Sequence, residues 1–166
     1  IAAYDDVMPT AWEEAHGAGL SGGVKVVLGS GASNNVMYTS PTLAGTTIAL
    51  TYAHDYGTTD TADKAVKSTS DQVLRSYDAT IKINPAMGTE ALSGLNVYAG
   101  ASTIEATVNG TQEEDQYQAV GAVTYALGPV ELGVMWSGLY DGQEDVSASY
   151  HTYKNHAYGV AFNVND

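Results

Sequence analysis

The chain has 166 residues, one domain's worth, with a formal net charge of −13 and a pI near 4.3. Only 6 Lys and Arg stand against 19 Asp and Glu, which excludes a nucleic-acid partner, since such binding needs cations to neutralise phosphates. The lack of cysteine excludes disulfides and thiolate chemistry, and no apolar run approaches the roughly 20 residues of a membrane-spanning helix.

The sequence opens on Ile1 with no initiator Met and no leader, and reads as a trimmed product or a piece of something longer. Residues 3–17, AYDDVMPTAWEEAHG, gather Asp5, Asp6, Glu13 and Glu14 around a Val-Met-Pro core. They show neither a helical stripe nor strand alternation. The segment fits an active-site loop, a metal loop or an acidic lip on a larger structure. Gly17-Ala-Gly19-Leu-Ser-Gly22 matches G-x-G-x-x-G literally, but it follows no strand and opens no helix, so it reads as a loop.

From residue 34 the pattern has period two. NNVMYTS is a short strand. TTIALTYAHD sets Ile48, Leu50 and Tyr52 on one face and Thr47, Ala49 and Thr51 on the other. YDATIKIN opposes Tyr77, Ala79, Ile81 and Ile83 to Asp78, Thr80 and Lys82. LNVYAGASTIEATV is a strand whose parity is ambiguous near Ala101–Thr103, where a bulge is expected as one solution. YQAVGAVTYALG, VELGVMWSGLY and AYGVAFNV complete the set, and Glu131 and Ser137 take the polar side of their strand. Arg75 breaks the pattern: by parity it shares the apolar side with Tyr77, at a strand end where it can reach a headgroup phosphate or a loop carboxylate.

Short turns (Pro41–Gly45 and Gly128-Pro129) and a somewhat longer one (Asn84–Gly94) alternate with longer acidic connections near 55–71, 109–116 and 141–153. Tyrosines cluster near strand ends, with Ile, Val, Leu and Ala between them. Such an arrangement predicts an all-β chain: part of an antiparallel up-and-down transmembrane barrel, with aromatic girdles around a lipid-facing band. A soluble antiparallel domain, in which the apolar face meets a second sheet, is the other reading of the same alternation.

YDDVMPTAW followed by NNVMYTSPTLAGTTIALTYAHD resembles the general porins of Gram-negative outer membranes. In that family an acidic segment ending in proline belongs to a third loop that folds into the barrel. Asp6-Val7-Met8-Pro9 fits that segment. Val36, Tyr38, Ser40, Pro41, Gly45 and Tyr52 fit the strand–turn–strand that follows. TYALGPVELGVMWSG and HAYGVAFNVND are similar to porin strands. Thr10 stands where the family carries glutamate, the Phe-Gly-Gly that often follows is missing, and near Ser30 only Lys25 approaches the place of a pore-wall arginine.

The resemblance implies a barrel of 16–18 strands in the full chain. Residues 1–33 form the constriction-loop region and 34–166 carry about seven antiparallel strands. It implies a pore for passive diffusion of small hydrophilic solutes and ions in the outer membrane of a Gram-negative bacterium. The expected surroundings are lipid and lipopolysaccharide, and the expected assembly is a homotrimer, with no enzymatic activity, cofactor or metal. Asp5, Asp6, Glu13 and Glu14 are the candidate constriction residues, favouring cations mildly, unless some of them only bind loop amides. Thr47, Thr51, Asp78, Thr80, Lys82 and Glu131 are the candidate pore lining, because charge belongs on the lumen side.

A secreted soluble β-sandwich that binds a saccharide or another ligand is the alternative. The four histidines (His16, His54, His151, His156) match no metal spacing and read as solvated loop or strand-end residues. No nucleophile elbow, His-Glu-x-x-His or P-loop is present.

Overall fold

A computed structural model of the chain describes residues 1, 4, 7–9, 27, 29–30, 35–54, 72–85, 92–108, 111–112, 115–140 and 152–162. They build one antiparallel sheet of β1 (Asn35–Thr39), β2 (Thr46–Ala53), β3 (Gln72–Ile83), β4 (Leu95–Val108), β5 (Thr111–Gln112), β6 (Gln116–Leu127), β7 (Val130–Tyr140) and β8 (Thr152–Phe162). The order is β1-β2-β3-β4-β6-β7-β8, each strand beside its predecessor, with the two-residue β5 pairing the end of β4. This is the up-and-down meander that the alternation predicts. Among the described residues β1 and β8 pair on one side only. In hydrocarbon those edges need further strands as partners, since each unpaired backbone group there costs several kcal/mol.

The β1–β2 turn shows how the short connections form. Leu43 and Thr46 exchange both backbone hydrogen bonds at 2.9 Å, leaving Ala44 and Gly45 as a two-residue loop with φ of 50° and 77°. Both central residues at positive φ make a type I′ turn, whose twist matches that of the flanking strands. Gly45 also has no room for a side chain, because the carbonyl oxygen of Asn84 occupies the place of a Cβ.

Strand parity decides what the sheet faces. The outward side carries Ile48, Leu132, Val134 and Val160, which are 43%, 40%, 49% and 70% exposed. No second sheet covers them among the described residues, so the sandwich reading fails on the feature that defines it. The inward side carries the polar residues, and many of those are buried. The alternation is inverted relative to a soluble sheet, as suits a wall with hydrocarbon outside.

On the outer face the register aligns Val36, Tyr52, Tyr77, Thr103, Tyr117, Tyr140 and Thr152 in one cross-strand row. Tyr52 and Tyr77 lie 5.2 Å apart between ring centroids, and Tyr117 and Tyr140 stack at 6.3 Å. This row is an aromatic girdle at the long-connection end of the sheet, where amphipathic rings meet the headgroups.

Several expectations need correction. β4 holds one parity against β6 without interruption from Leu95 to Ile104. The irregularity lies instead in β3, between Val73 and Ser76, where one additional residue is accommodated before the loop end of the strand. β3 begins before Tyr77, and β8 begins at Thr152, so His156 is a mid-strand residue opposite Trp136. Arg75 does face outward with Tyr77. Its partner is a strand carboxylate, Glu105 on β4, reached by Nε at 3.1 Å.

Candidate functional site: the inward segment and the wall it sits on

Cross-strand rows also organise the inner face. One runs Thr51, Asp78, Ser102, Gln118, Leu139, Tyr153. The next is Ala49, Thr80, Gly100, Val120, Ser137, Asn155. Below it lie Thr47, Lys82, Tyr98, Ala122, Met135 and Ala157. The rows are not uniformly wet. Val120, Ala122, Met135 and Leu139 form an apolar patch on β6 and β7, buried beneath Met8 and Val27, with Ile1, Tyr4, Val7, Tyr98, Tyr153 and Ala157 around it. The inner face is therefore not polar along its whole extent. Where the N-terminal segment folds inward it needs an apolar seat, and the wall supplies one.

Two anchors hold this segment. The first is a polar network at Gly29-Ser30. Asp78 is 7% exposed. Its Oδ1 accepts from Ser30 Oγ at 3.0 Å and from Ser102 Oγ at 2.6 Å. The Ser30 amide donates to both carboxylate oxygens at 3.1 Å. The Ile1 backbone nitrogen donates to Oδ2 at 3.2 Å. Ser76 Oγ extends the network to Ser30 Oγ at 2.7 Å. The Gly29 amide donates to Gln118 Oε1 at 2.9 Å, and Gln118 Nε2 donates to Gln116 Oε1 at 2.8 Å. A carboxylate this well covered is tolerated because four donor atoms satisfy its lone pairs.

The second anchor is apolar. Gly133 and Gly159 are register partners on β7 and β8, both on the inner face. Pro9 sits against them: a Cβ added to Gly133 would lie 2.5 Å from Pro9 Cδ, and one added to Gly159 would lie 2.7 Å from the Pro9 carbonyl oxygen.

Of the pore-lining candidates, Thr47, Thr51, Thr80, Lys82 and Glu131 all take the inner face, half-buried or exposed. Lys82 Nζ lies 5.5 Å from the centroid of Tyr98, whose ring meets Tyr4 edge-on at 5.3 Å. Thr47 Oγ1 hydrogen bonds Thr42 Oγ1 at 2.9 Å. Asp78 is on the same face but covered, its oxygens engaged by the inward segment. Asp5, Asp6, Glu13 and Glu14 lie outside the described residues.

Sequence reasoning did not single out Ser30, Ser102, Gln118 or the Gly133–Gly159 pair as site residues. The legible trace was Val120, Met135 and Leu139 on the polar parity, an apolar intrusion that marks a covered patch.

No curated protein and no solved structure matches the chain. A family model described as Gram-negative porin matches residues 1–166. That span takes in the whole meander and both anchors of the inward segment. The chain belongs to the Gram-negative porin family, and its place is the outer membrane.

Proposed function

We propose that this chain forms wall and constriction of a water-filled pore that passes small hydrophilic solutes and ions by passive diffusion. The observation that carries this reading is the inversion of the sheet: apolar side chains outside, polar rows inside, and a segment seated on the polar side. Thr47, Thr51, Thr80, Lys82 and Glu131 line the solute path. Asp78 acts on it through the segment it holds. No covalent step and no cofactor enter the mechanism.

Asp5, Asp6, Glu13 and Glu14 supply fixed negative charge to the constriction and make the pore mildly cation-preferring. At about 7 Å in a water-like dielectric, one carboxylate attracts a monovalent cation by about 0.6 kcal/mol, close to one RT, which raises its local concentration about threefold. Salt screens this attraction beyond about 8–10 Å, so the preference is strongest in dilute electrolyte. The protein works as a homotrimer surrounded by lipid and lipopolysaccharide.

Planar-bilayer recording of the full-length protein, with ion substitution, tests the reading. Discrete conductance steps with a reversal potential favouring cations are expected. An anion-selective pore removes the role given to the carboxylates, and a protein that conducts nothing removes the pore.

A further inference from the structure

The paired glycines of β7 and β8 occupy an unusual place. They face the lumen side by side, at adjacent positions of one cross-strand row, where any other residue would present a side chain. Strand interiors lose stability with glycine, which contributes no packing and costs more chain entropy. Here the missing side chains leave a notch filled by Pro9 and by Met8, whose Sδ and Cε would each lie 3.1 Å from a Cβ on Gly133. The two walls of the notch meet different parts of the proline. Gly133 faces the ring, at Cδ. Gly159 faces the carbonyl oxygen at 2.7 Å as well as Cδ at 2.9 Å and Cγ at 3.1 Å. Gly121 on the outer face provides the contrast, since a Cβ there meets nothing nearer than the Tyr98 carbonyl oxygen at 4.0 Å.

We infer that Gly133 and Gly159 are positioning residues for the constriction: their missing side chains set how close to the wall Met8 and Pro9 lie, and so how much of the bore the inward segment leaves open. The inference rests on the diffusion-pore reading above. A methyl on Gly133 would stand 2.5 Å from Pro9 Cδ, whereas ordinary carbon–carbon contact is about 3.5–4.0 Å. Pro9 therefore has to move by about 1 Å away from β7, on whose inner side it sits. Alanine at Gly159 pushes on the peptide carbonyl as well as the ring. Shortening the proline side chain thus removes the Cδ contact at Gly133, leaving there only the flexible end of Met8 at 3.1 Å, whereas at Gly159 the carbonyl oxygen still stands in the way of the methyl.

The test uses the full-length protein in planar bilayers, with heat-modifiable gel mobility as the measure of barrel assembly. Gly133→Ala and Gly159→Ala are each expected to lower single-channel conductance, while Gly121→Ala conducts like the wild type. Adding Pro9→Ala returns Gly133→Ala to the conductance of Pro9→Ala alone and leaves Gly159→Ala short of it. Equal conductance for Gly121→Ala, Gly133→Ala and Gly159→Ala overturns the inference, and so do Pro9→Ala effects that simply add. If the two alanine variants fail to assemble, recovery of assembly by Pro9→Ala in the Gly133→Ala background supports the seat, and no recovery overturns it. A wild-type protein without conductance defeats the diffusion reading rather than the seat, which the assembly measurement then judges.

Discussion

Replacing Asp78 by asparagine tests whether the polar anchor holds the inward segment. The carboxylate accepts the Ser30 amide on both oxygens at 3.1 Å, Ser30 Oγ at 3.0 Å and Ser102 Oγ at 2.6 Å. Asparagine keeps one acceptor and turns the other into a donor that faces a donor. Hydrogen bonds to a buried charge contribute about 1.5–3 kcal/mol each, and stranding one buried donor costs about 1–3 kcal/mol. Since serine hydroxyls can rotate to new acceptors, a net loss of about 2 kcal/mol for local detachment is a conservative figure. The barrel ladder is untouched, so global unfolding should change little. Opening at Gly29-Ser30 should become about 30-fold more frequent, at 1.36 kcal/mol per tenfold. Hydrogen–deuterium exchange of the peptide containing residues 27–30 reads this directly, with β7 peptides as the internal reference. Unchanged exchange at 27–30, or a rise shared equally by β7, would refute the anchor.

Three further outcomes follow from the sidedness and the turns. Val134→Lys, on the lipid face near the middle of β7, should lower unfolding free energy in chemical denaturation by about 2–4 kcal/mol, whereas Thr80→Lys on the inner face should leave stability near wild type and alter ion selectivity instead. Gly45→Ala should destabilise by 2 kcal/mol or more, as an order of magnitude, since it adds a positive-φ strain of about 1 kcal/mol to a collision with the Asn84 carbonyl; Ala44→Gly, measured by the same denaturation, should stabilise by about 0.5–1 kcal/mol. Neutralising Asp5, Asp6, Glu13 and Glu14 together as Asn and Gln should reduce the cation-to-anion permeability ratio in reversal-potential measurements, more strongly in dilute than in concentrated salt.

The strands were legible because period two survives along most of them. Ile48-Leu50-Tyr52 and Leu132-Val134-Trp136 announce both the strand and the face, and the tyrosine ends announce the girdle. What stayed hidden is instructive. The parity of β4 looked ambiguous at Ala101–Thr103 because alanine, serine and threonine suit either environment, so hydropathy carries no sign there; only pairing with β6 settles it. The start of β8 was obscured by Thr152, Lys154 and His156, polar residues on the outer parity of the strand. Asp78 was legible as an inward charge but not as a buried one, because its partners Ser30 and Ser102 are separated from it by 48 and 24 positions. Hydrogen-bond partners that distant leave no periodic trace in the sequence.

The inner wall carries two kinds of surface, and each has its own physical reason. Open positions hold threonine, lysine and glutamate, half-buried or exposed, whose polar ends suit water. Covered positions cannot rely on water, and the wall answers in two ways. On β3 and β4 it provides an acceptor with matched donors, Asp78 with Ser102 and the Ser30 amide. On β6, β7 and β8 it removes polarity and volume, through Val120, Met135, Leu139 and the Gly133–Gly159 pair. A directional anchor fixes one end of the segment by angle and charge, while a shape-based seat fixes the other by steric fit. Together they tie Met8-Pro9 and Gly29-Ser30 to the inner face by complementary means, one steric and one directional.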